Sequence, residues 1–282
     1  MKKLNCASLL LLLLLSVAAS AYEIKVMSFN IRYDNPGDAA NRWDLRKLTL
    51  CKQIQEQNPD FIGLQEVLKH QLQFVDSFLM HYTAIGKGRD DGNDKGEFAP
   101  ILFRKDRFYL LQQGQFWLST NPDSIGKAWD AALPRICTWV KLKEYKTGKI
   151  YWVFNTHFDH LGVQAREKSA ALLVQQIRNL CSRSDELILT GDFNMESNAP
   201  GIELLSGELN NAAKVNPNWD KLGTFNAFRE DLAPVGPIDY IFYQSVALKP
   251  INYQVITTKA STHFASDHYA IVVTFTKKEG QK

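Results

Sequence analysis

Apolar and polar positions along the chain alternate between two spacings, one helical and one extended. Ile24 to Phe29 is an apolar run of strand length. Trp43 to Gln57 follows a helical period, with Leu45, Leu48, Cys51 and Ile54 about one turn apart, and Asn58-Pro59 ends it. Phe61 to Gln65 reads as a short strand, and Gln71 to Leu79 as a helix with Leu72, Val75 and Leu79 on one face. Tyr82 to Gly86 and Phe98 to Phe103 read as strands. Between them, residues 86–96 are glycine-rich and polar (Arg89, Asp90, Asp91, Asn93, Asp94), a composition read as a solvated surface loop in preference to a substrate-facing one.

Thr138 to Tyr145 and Lys149 to Asn155 flank Lys146-Thr147-Gly148, a hairpin signal. Val163 to Cys181 carries a helical stripe of Ala170, Leu173, Val174 and Ile177. Glu186 to Leu189, Ile238 to Tyr243 and Tyr269 to Phe275 are further strands. No Pro/Gly/Ser-rich linker interrupts the alternation. One α/β domain over residues 22–282 is expected, and the hairpin argues for mixed or antiparallel sheets instead of a purely parallel doubly wound one.

The first residues stand apart. Lys2 and Lys3 precede an unbroken leucine run, Leu9 to Leu15, and Ala19-Ser20-Ala21 offers small residues for cleavage. Residues 1–21 are expected to be a secretory signal peptide, leaving a mature chain that starts at Tyr22 and is periplasmic or secreted. The run is too short to span a bilayer comfortably, and no second one follows, so stable membrane insertion is not expected. The formal charge is 33 − 30 = +3. Removing Lys2 and Lys3 leaves about +1, which weighs against a monomer that grips long duplex DNA by charge alone. With 45% hydrophobic and 22% charged residues the chain is not disordered. Cys51, Cys137 and Cys181 are odd in number, widely spaced and in apolar contexts, which reads as buried free thiols, with one disulfide open.

The chemistry-bearing residues cluster just after apolar strands: Asn30, Glu66, His157 with Asp159, and Asp192 with Asn194. Asp239 lies within the apolar run Ile238–Ile241, and Asp267-His268 precedes another. A carboxylate in such a run must be paired, hydrogen-bonded or metal-bound. The donors are mostly oxygen, which suits Mg²⁺, Mn²⁺ or Ca²⁺. The sequence has no HExxH, paired CxxC, GxSxG or P-loop signature. Hydrolysis assisted by a metal ion and histidine remains.

Ser28-Phe29-Asn30-Ile31-Arg32, Leu64-Gln65-Glu66-Val67, Asn155-Thr156-His157, Gly191-Asp192-Phe193-Asn194, Ile238-Asp239-Tyr240 and Ser266-Asp267-His268 occur in this order. Together they resemble the endonuclease/exonuclease/phosphatase superfamily, with the DNase I-like fold. That resemblance implies a four-layer α/β sandwich, two packed mixed β-sheets flanked by helices. It assigns Glu66 as principal Mg²⁺ or Mn²⁺ ligand, with Asn30 and Asp267 beside the metal. Asp192 would orient the attacking water, Asn194 would hold phosphate or water, and Asp239 would orient His268 on the phosphate. The number of ions, one or two, is left open. His157 stands where the abasic-site branch typically has tyrosine. It resembles instead the DNase I, sphingomyelinase, inositol-phosphatase and deadenylase branches, and would donate to a phosphoryl oxygen.

Beyond the motifs, Arg32, Asp159, His160, Arg135 and Arg166 are candidate substrate contacts, each balanced against a solvated turn or a surface ion pair. Trp43 and Arg46, which open the first helix, stand in the same balance. His263 matches no motif, and His70 and His81 read as surface or packing residues. Phe116-Trp117-Leu118 reads as core strand in preference to a membrane-facing hairpin. The expected function is an exported phosphoesterase acting as a monomer, with a phosphodiester favoured. Its substrate could be a nucleic acid, a small phosphodiester, a phospholipid headgroup, or a sugar or inositol phosphate. The competing reading is a non-catalytic ligand-binding protein on the same fold.

Overall fold

A computed structural model describes residues 22–232, 236–257 and 264–277. The expected signal peptide and His263 lie outside the described residues. Chain order begins with β1 (Glu23–Asn30), α1 (Trp43–Gln57), β2 (Phe61–Gln65), α2 (Lys69–Phe78), β3 (Tyr82–Ile85) and β4 (Ile101–Arg104). It continues with β5 (Phe108–Trp117), β6 (Ile136–Glu144), β7 (Ile150–His157), α3 (Val163–Leu180), β8 (Glu186–Asp192) and α4 (Pro200–Glu208). The last strands are β9 (Asn210–Asn211), β10 (Asp239–Gln244), β11 (Leu248–Ile256) and β12 (Ala270–Lys277).

Two six-stranded sheets result, in the orders β11-β12-β1-β2-β4-β3 and β5-β6-β7-β8-β10-β9. Each contains one parallel pair, β1/β2 and β7/β8, and each pair is joined by a helical crossover. Parallel strands need such a crossover, and they present their carboxyl ends side by side. The expected mixed sheets are therefore present, and so is the 138–155 hairpin as β6/β7. Val26, Phe61, Val140, Val153, Ile241 and Val273 fill the space between the sheets. α1 and α2 cover the outer face of the first sheet through Leu50, Ile54 and Val75. α3 and α4 cover the second through Ala170, Leu173, Ile177 and Ile202.

Buried polar side chains also tie the sheets together. Asn155 Nδ2 donates to the carbonyls of Leu64 (2.7 Å) and Pro100 (2.9 Å), and Asn155 Oδ1 accepts from Gln65 Nε2 at 2.7 Å and Thr190 Oγ1 at 3.0 Å. Only glycine fits at position 63 beneath this network. A Cβ there would lie 2.0 Å from Thr190 Oγ1 and 2.5 Å from Asn155 Oδ1. At the opposite end of the sandwich Arg107 spans the sheets, reaching Asp60 and Glu144 at 2.8 Å each.

Several expectations need correction. Leu45 and Leu48 are exposed, and the buried side of α1 is Trp43, Arg46, Leu50 and Ile54. The cause is Arg46, which is neither a surface ion pair nor a phosphate contact. Its guanidinium is buried and donates to the carbonyls of Ile31, Arg32, Asn41 and Ala265. β11 and most of β5 have no counterpart in the pattern, because edge strands with one solvated face carry polar residues such as Gln112, Gln113, Lys249 and Gln254. α4 escapes detection because it opens on Pro200-Gly201, which reads as a turn. Asp239 begins its strand instead of lying inside it. Phe116, Trp117 and Leu118 are core, Cys51 and Cys137 are buried free thiols, and Cys181 is a half-buried one. His70 and His81 are exposed. No helix of the described residues is long and apolar enough to cross a membrane.

Gly63→Ala tests the sheet spacing. It is expected to destabilise the protein by about 1–3 kcal/mol or more through overpacking, read as a lower midpoint in urea unfolding with an unchanged slope.

Candidate active site

The carboxyl ends of the two parallel pairs meet at one point. Asn30 ends β1, and its fully buried amide joins the sheets. Nδ2 donates to Glu66 Oε1 at 3.0 Å and to Asp192 Oδ2 at 2.9 Å, while Oδ1 accepts from the Arg32 N–H at 3.0 Å. Glu66 follows β2 with φ of 61°, a left-handed conformation that costs energy for a non-glycine residue. Its other oxygen accepts from the Tyr33 N–H at 3.1 Å. Glu66 is thus not the cap of the following helix, whose N-cap is Leu68. Arg32 makes a two-point contact with Asp38 (3.0 and 2.9 Å) and leans toward Asp267 at 3.7 Å and Glu66 at 4.0 Å.

On the second sheet, register places His157 beside Asp192 and Asp192 opposite Asp239. His268 Nδ1 lies 2.9 Å from Asp239 Oδ2, and its Nε2 is 3.8 Å from Asp192 Oδ2. This ring packs against Phe225 in a T-shaped contact, centroid to centroid at 5.0 Å. His157 Nε2 is 3.6 Å from the same Asp192 oxygen. Asn194, with φ of 50°, turns back so that its N–H donates to Asp192 Oδ1 at 2.9 Å and its side chain lies 3.2 Å from His157 Nε2.

The two histidines differ in charge. Burial opposes charge on His268, but Asp239, Asp192 and Asp267 together outweigh it and push the imidazole up to about 10. His157 is held well below its ordinary value by burial, reinforced by Arg135 and Arg89. Burial, with Asp239 adding to it, pushes Asp192 up to about 7. Burial likewise raises Asp267, which also faces Glu66.

A cationic wall backs His157. Arg135 is buried, and its guanidinium lies 3.4 Å from Asp159 Oδ2 and 3.0 Å from the Nδ1 atoms of both His157 and His160. Asp159 is buried too, and accepts from the N–H groups of Leu133, Leu161 and Gly162. Arg166 donates to the Asp159 carbonyl at 3.2 Å, and His160 is exposed. All the sequence candidates therefore gather at this end of the sandwich. Two members were missed. Arg89, from the loop read as solvated in preference to substrate-facing, and Glu97, just after it, form a two-point ion pair at 2.7 and 3.0 Å, with Glu97 Oε2 3.8 Å from His157 Nδ1. Arg89 is buried, so the surface-loop reading holds for Asn93, Asp94 and Lys95 but not for the loop's root. The available signal was Glu97 adjoining the apolar run that starts at Phe98.

The Endonuclease/Exonuclease/phosphatase family model matches residues 27–268. The chain belongs to this family. It is a phosphoric ester hydrolase, as the family's members are, and the non-catalytic alternative falls away. An endonuclease/exonuclease/phosphatase of Bacteroides vulgatus is 35% identical, with a TM-score of 0.84 over 91% of this chain and 100% of that one. A Bacteroides thetaiotaomicron mannosyl-6-phosphatase is 34% identical, with a TM-score of 0.84 over 89% of this chain and 99% of that one. The human nocturnin catalytic domain, 21% identical with a TM-score of 0.74 over 91% of this chain and 94% of that one, shares the fold.

The family is typically dependent on divalent metal, and these residues fit one. Ligand atoms of Glu66, His157 and Asp192 lie within 4.8 Å of one another, and so do those of Asp192, Asp239 and His268. Asp239 Oδ1 is buried with no hydrogen-bond partner among the described residues. Glu66, Asp192, Asp239 and Asp267 crowd together, while Arg32 is already committed to Asp38. This oxygen-rich negative excess matches a hard cation.

Asp159 gives a stability test. Burial works against its charge, but the N–H donors from Gly162, Ala132 and Leu161 and the Arg135 guanidinium hold the carboxyl down to about 2. A depressed folded-state value contributes stability above the ordinary carboxylate range, lost as pH falls through the folded value. Asp159→Asn is expected to be less stable than wild type at pH 7. The gap should close between about pH 4 and about pH 2, as followed by denaturant titration at stepped pH.

Proposed function

We propose that the chain is an exported, Mg²⁺- or Mn²⁺-dependent phosphoesterase whose substrate is a phosphorylated sugar. The observation that carries the reaction is the meeting of Glu66, Asp192, Asp267, Asn30, the neutral His157 and the cationic His268 where the two sheets end. Glu66 would hold the cation, with Asn30 and Asp267 beside it. When bound, the ion offsets negative charge on the phosphoryl and leaving oxygens.

The remaining work falls to this chain's side chains. Asp192 accepts a proton from the attacking water, and the Asn194 N–H on its other oxygen fixes its direction. His268, held by Asp239, presents Nε2 to a phosphoryl oxygen. His157 donates from Nε2 as a neutral ring, since the Arg135 guanidinium faces its Nδ1. Preorganised donors of this kind stabilise charge that develops in the transition state. Export is supported by Lys2, Lys3, the Leu9–Leu15 run and Ala19-Ser20-Ala21.

The sugar monoester reading is supported by the 34% identical mannosyl-6-phosphatase and by the weak overall charge. The phosphodiester favoured by sequence is the second reading, supported by the motif set that this chain shares with nucleases. Purified protein from Tyr22 onward is to be assayed on mannose 6-phosphate and on a chromogenic phosphodiester, with Mg²⁺ or Mn²⁺ and with EDTA. Faster release of phosphate from the monoester, abolished by EDTA, is expected. Preference for the diester moves the assignment to the second reading. Glu66→Ala should abolish turnover in a folded protein, and His268→Ala should lower kcat by roughly 10²–10⁴-fold. Near-normal turnover in both folded variants contradicts the assignment.

A further inference from the structure

A cavity of about 430 Å³ opens between the edge strands β3 and β5. That is within the usual size of ligand pockets, roughly 300–1,000 Å³. β3 runs antiparallel to β4, and β4 to β2, so β3 points the same way as β2. By the same count β5 points the same way as β7. The cavity is lined by the carboxyl-terminal parts of both edge strands, and therefore opens toward the catalytic end. One ion pair separates it from His157. Trp117 Nε1 donates to the Arg89 carbonyl at 2.8 Å, Arg89 holds Glu97, and Glu97 adjoins His157.

The lining defines the ligand chemistry. Its single ionisable side chain is Lys87, which is exposed. The polar groups are the amides of Gln113 and Gln115, beside the indole of Trp117, while the buried Thr138 hydroxyl donates to Gln115 Oε1 at 3.5 Å. Gln115 Oε1 accepts from the Lys87 N–H at 3.2 Å, whereas its Nε2 has no hydrogen-bond partner among the described residues. Gly92, at φ of 68°, passes over the indole so closely that a Cβ would sit 3.1 Å from Trp117 Cη2. Neutral amide donors next to an aromatic ring suit a neutral, hydroxyl-rich ligand with apolar C–H faces. They do not suit a phosphate chain.

We propose that this groove is a subsite for neutral sugar units of a phosphorylated oligosaccharide whose phosphate lies at His157 and Asp192. The proposal rests on the phosphosugar reading of the active site and names the larger substrate that the site would select. The groove binds sugar through hydrogen bonds from the amides of Gln113 and Gln115, the second held in place by the Thr138 hydroxyl, and through contact with Trp117, and so lowers KM for oligosaccharides over monosaccharides.

The test compares kcat/KM for mannose 6-phosphate with that for a mannotriose carrying 6-phosphate on its terminal unit, in wild type and in Gln113→Ala/Thr138→Val. In parallel, unphosphorylated mannotriose is titrated while the Trp117 indole N–H is followed by NMR. Wild type is expected to favour the phosphorylated mannotriose. The double variant should lose at least fivefold in the ratio of the two kcat/KM values, and the Trp117 signal should shift in wild type and not in the variant. Equal kcat/KM values for the two substrates with an unmoved Trp117 signal overturn the subsite. A shifted Trp117 signal without hydrolysis of either sugar phosphate sinks the phosphosugar reading and supports the sugar groove.

Discussion

The amide of Asn30 is the contact on which the site depends. It ends the central strand of one sheet and hydrogen-bonds the carboxylate that follows its parallel neighbour, Glu66, and the carboxylate that ends a strand of the other sheet, Asp192. One neutral group thereby fixes the separation of two acids from different sheets. The deeper network of Gln65, Asn155 and Thr190 and the bare backbone of Gly63 hold the same sheets at the distance that lets this amide reach both. Sheet packing and site geometry are one constraint. Every polar atom of the Asn155 amide is bonded in this network, whereas Gln65 Oε1 is buried with no hydrogen-bond partner among the described residues.

Electrostatic contrast follows from that frame. His268 faces Asp239, Asp192 and Asp267, and its charge is favoured. His157 faces Arg135 and Arg89, and its charge is suppressed. Two rings of the same residue type, both close to Asp192, can therefore serve one phosphoryl group differently, one as a cation and one as a neutral donor. The crowding of carboxylates that raises Asp192 and Asp267 is a stability cost in the metal-free protein, and it is what selects for a hard cation.

Much of this was legible in the sequence because each motif sits at a strand end, where an apolar run gives way to a polar residue. Asn30, Glu66, His157 and Asp192 follow that rule, so the strand assignments also located the site. Arg89 and Glu97 broke it, since a glycine-rich polar loop carries no periodicity to show which of its residues, or of those flanking it, turn inward. Arg46 misled in a different way. A guanidinium can be buried when backbone carbonyls supply its partners, and neither hydropathy nor charge pairing reports carbonyl positions. The exposed Leu45 and Leu48 follow from that inward rotation of α1. The edge strands β5 and β11 lose their alternation because each shifts register along its length, between Leu110 and Gln112 and between Pro250 and Asn252.

The central claim is that the carboxylates joined by Asn30 form a divalent-cation site. The most direct measurement is thermal unfolding in EDTA and across a Mn²⁺ or Mg²⁺ titration, for wild type and Glu66→Gln. A cation that binds the native state raises the Tm of wild type progressively by mass action. The account predicts that rise in wild type, together with a Glu66→Gln protein that is at least as stable in EDTA and indifferent to the metal. A wild type that ignores both ions, or a Glu66→Gln variant that responds as strongly as wild type, contradicts it.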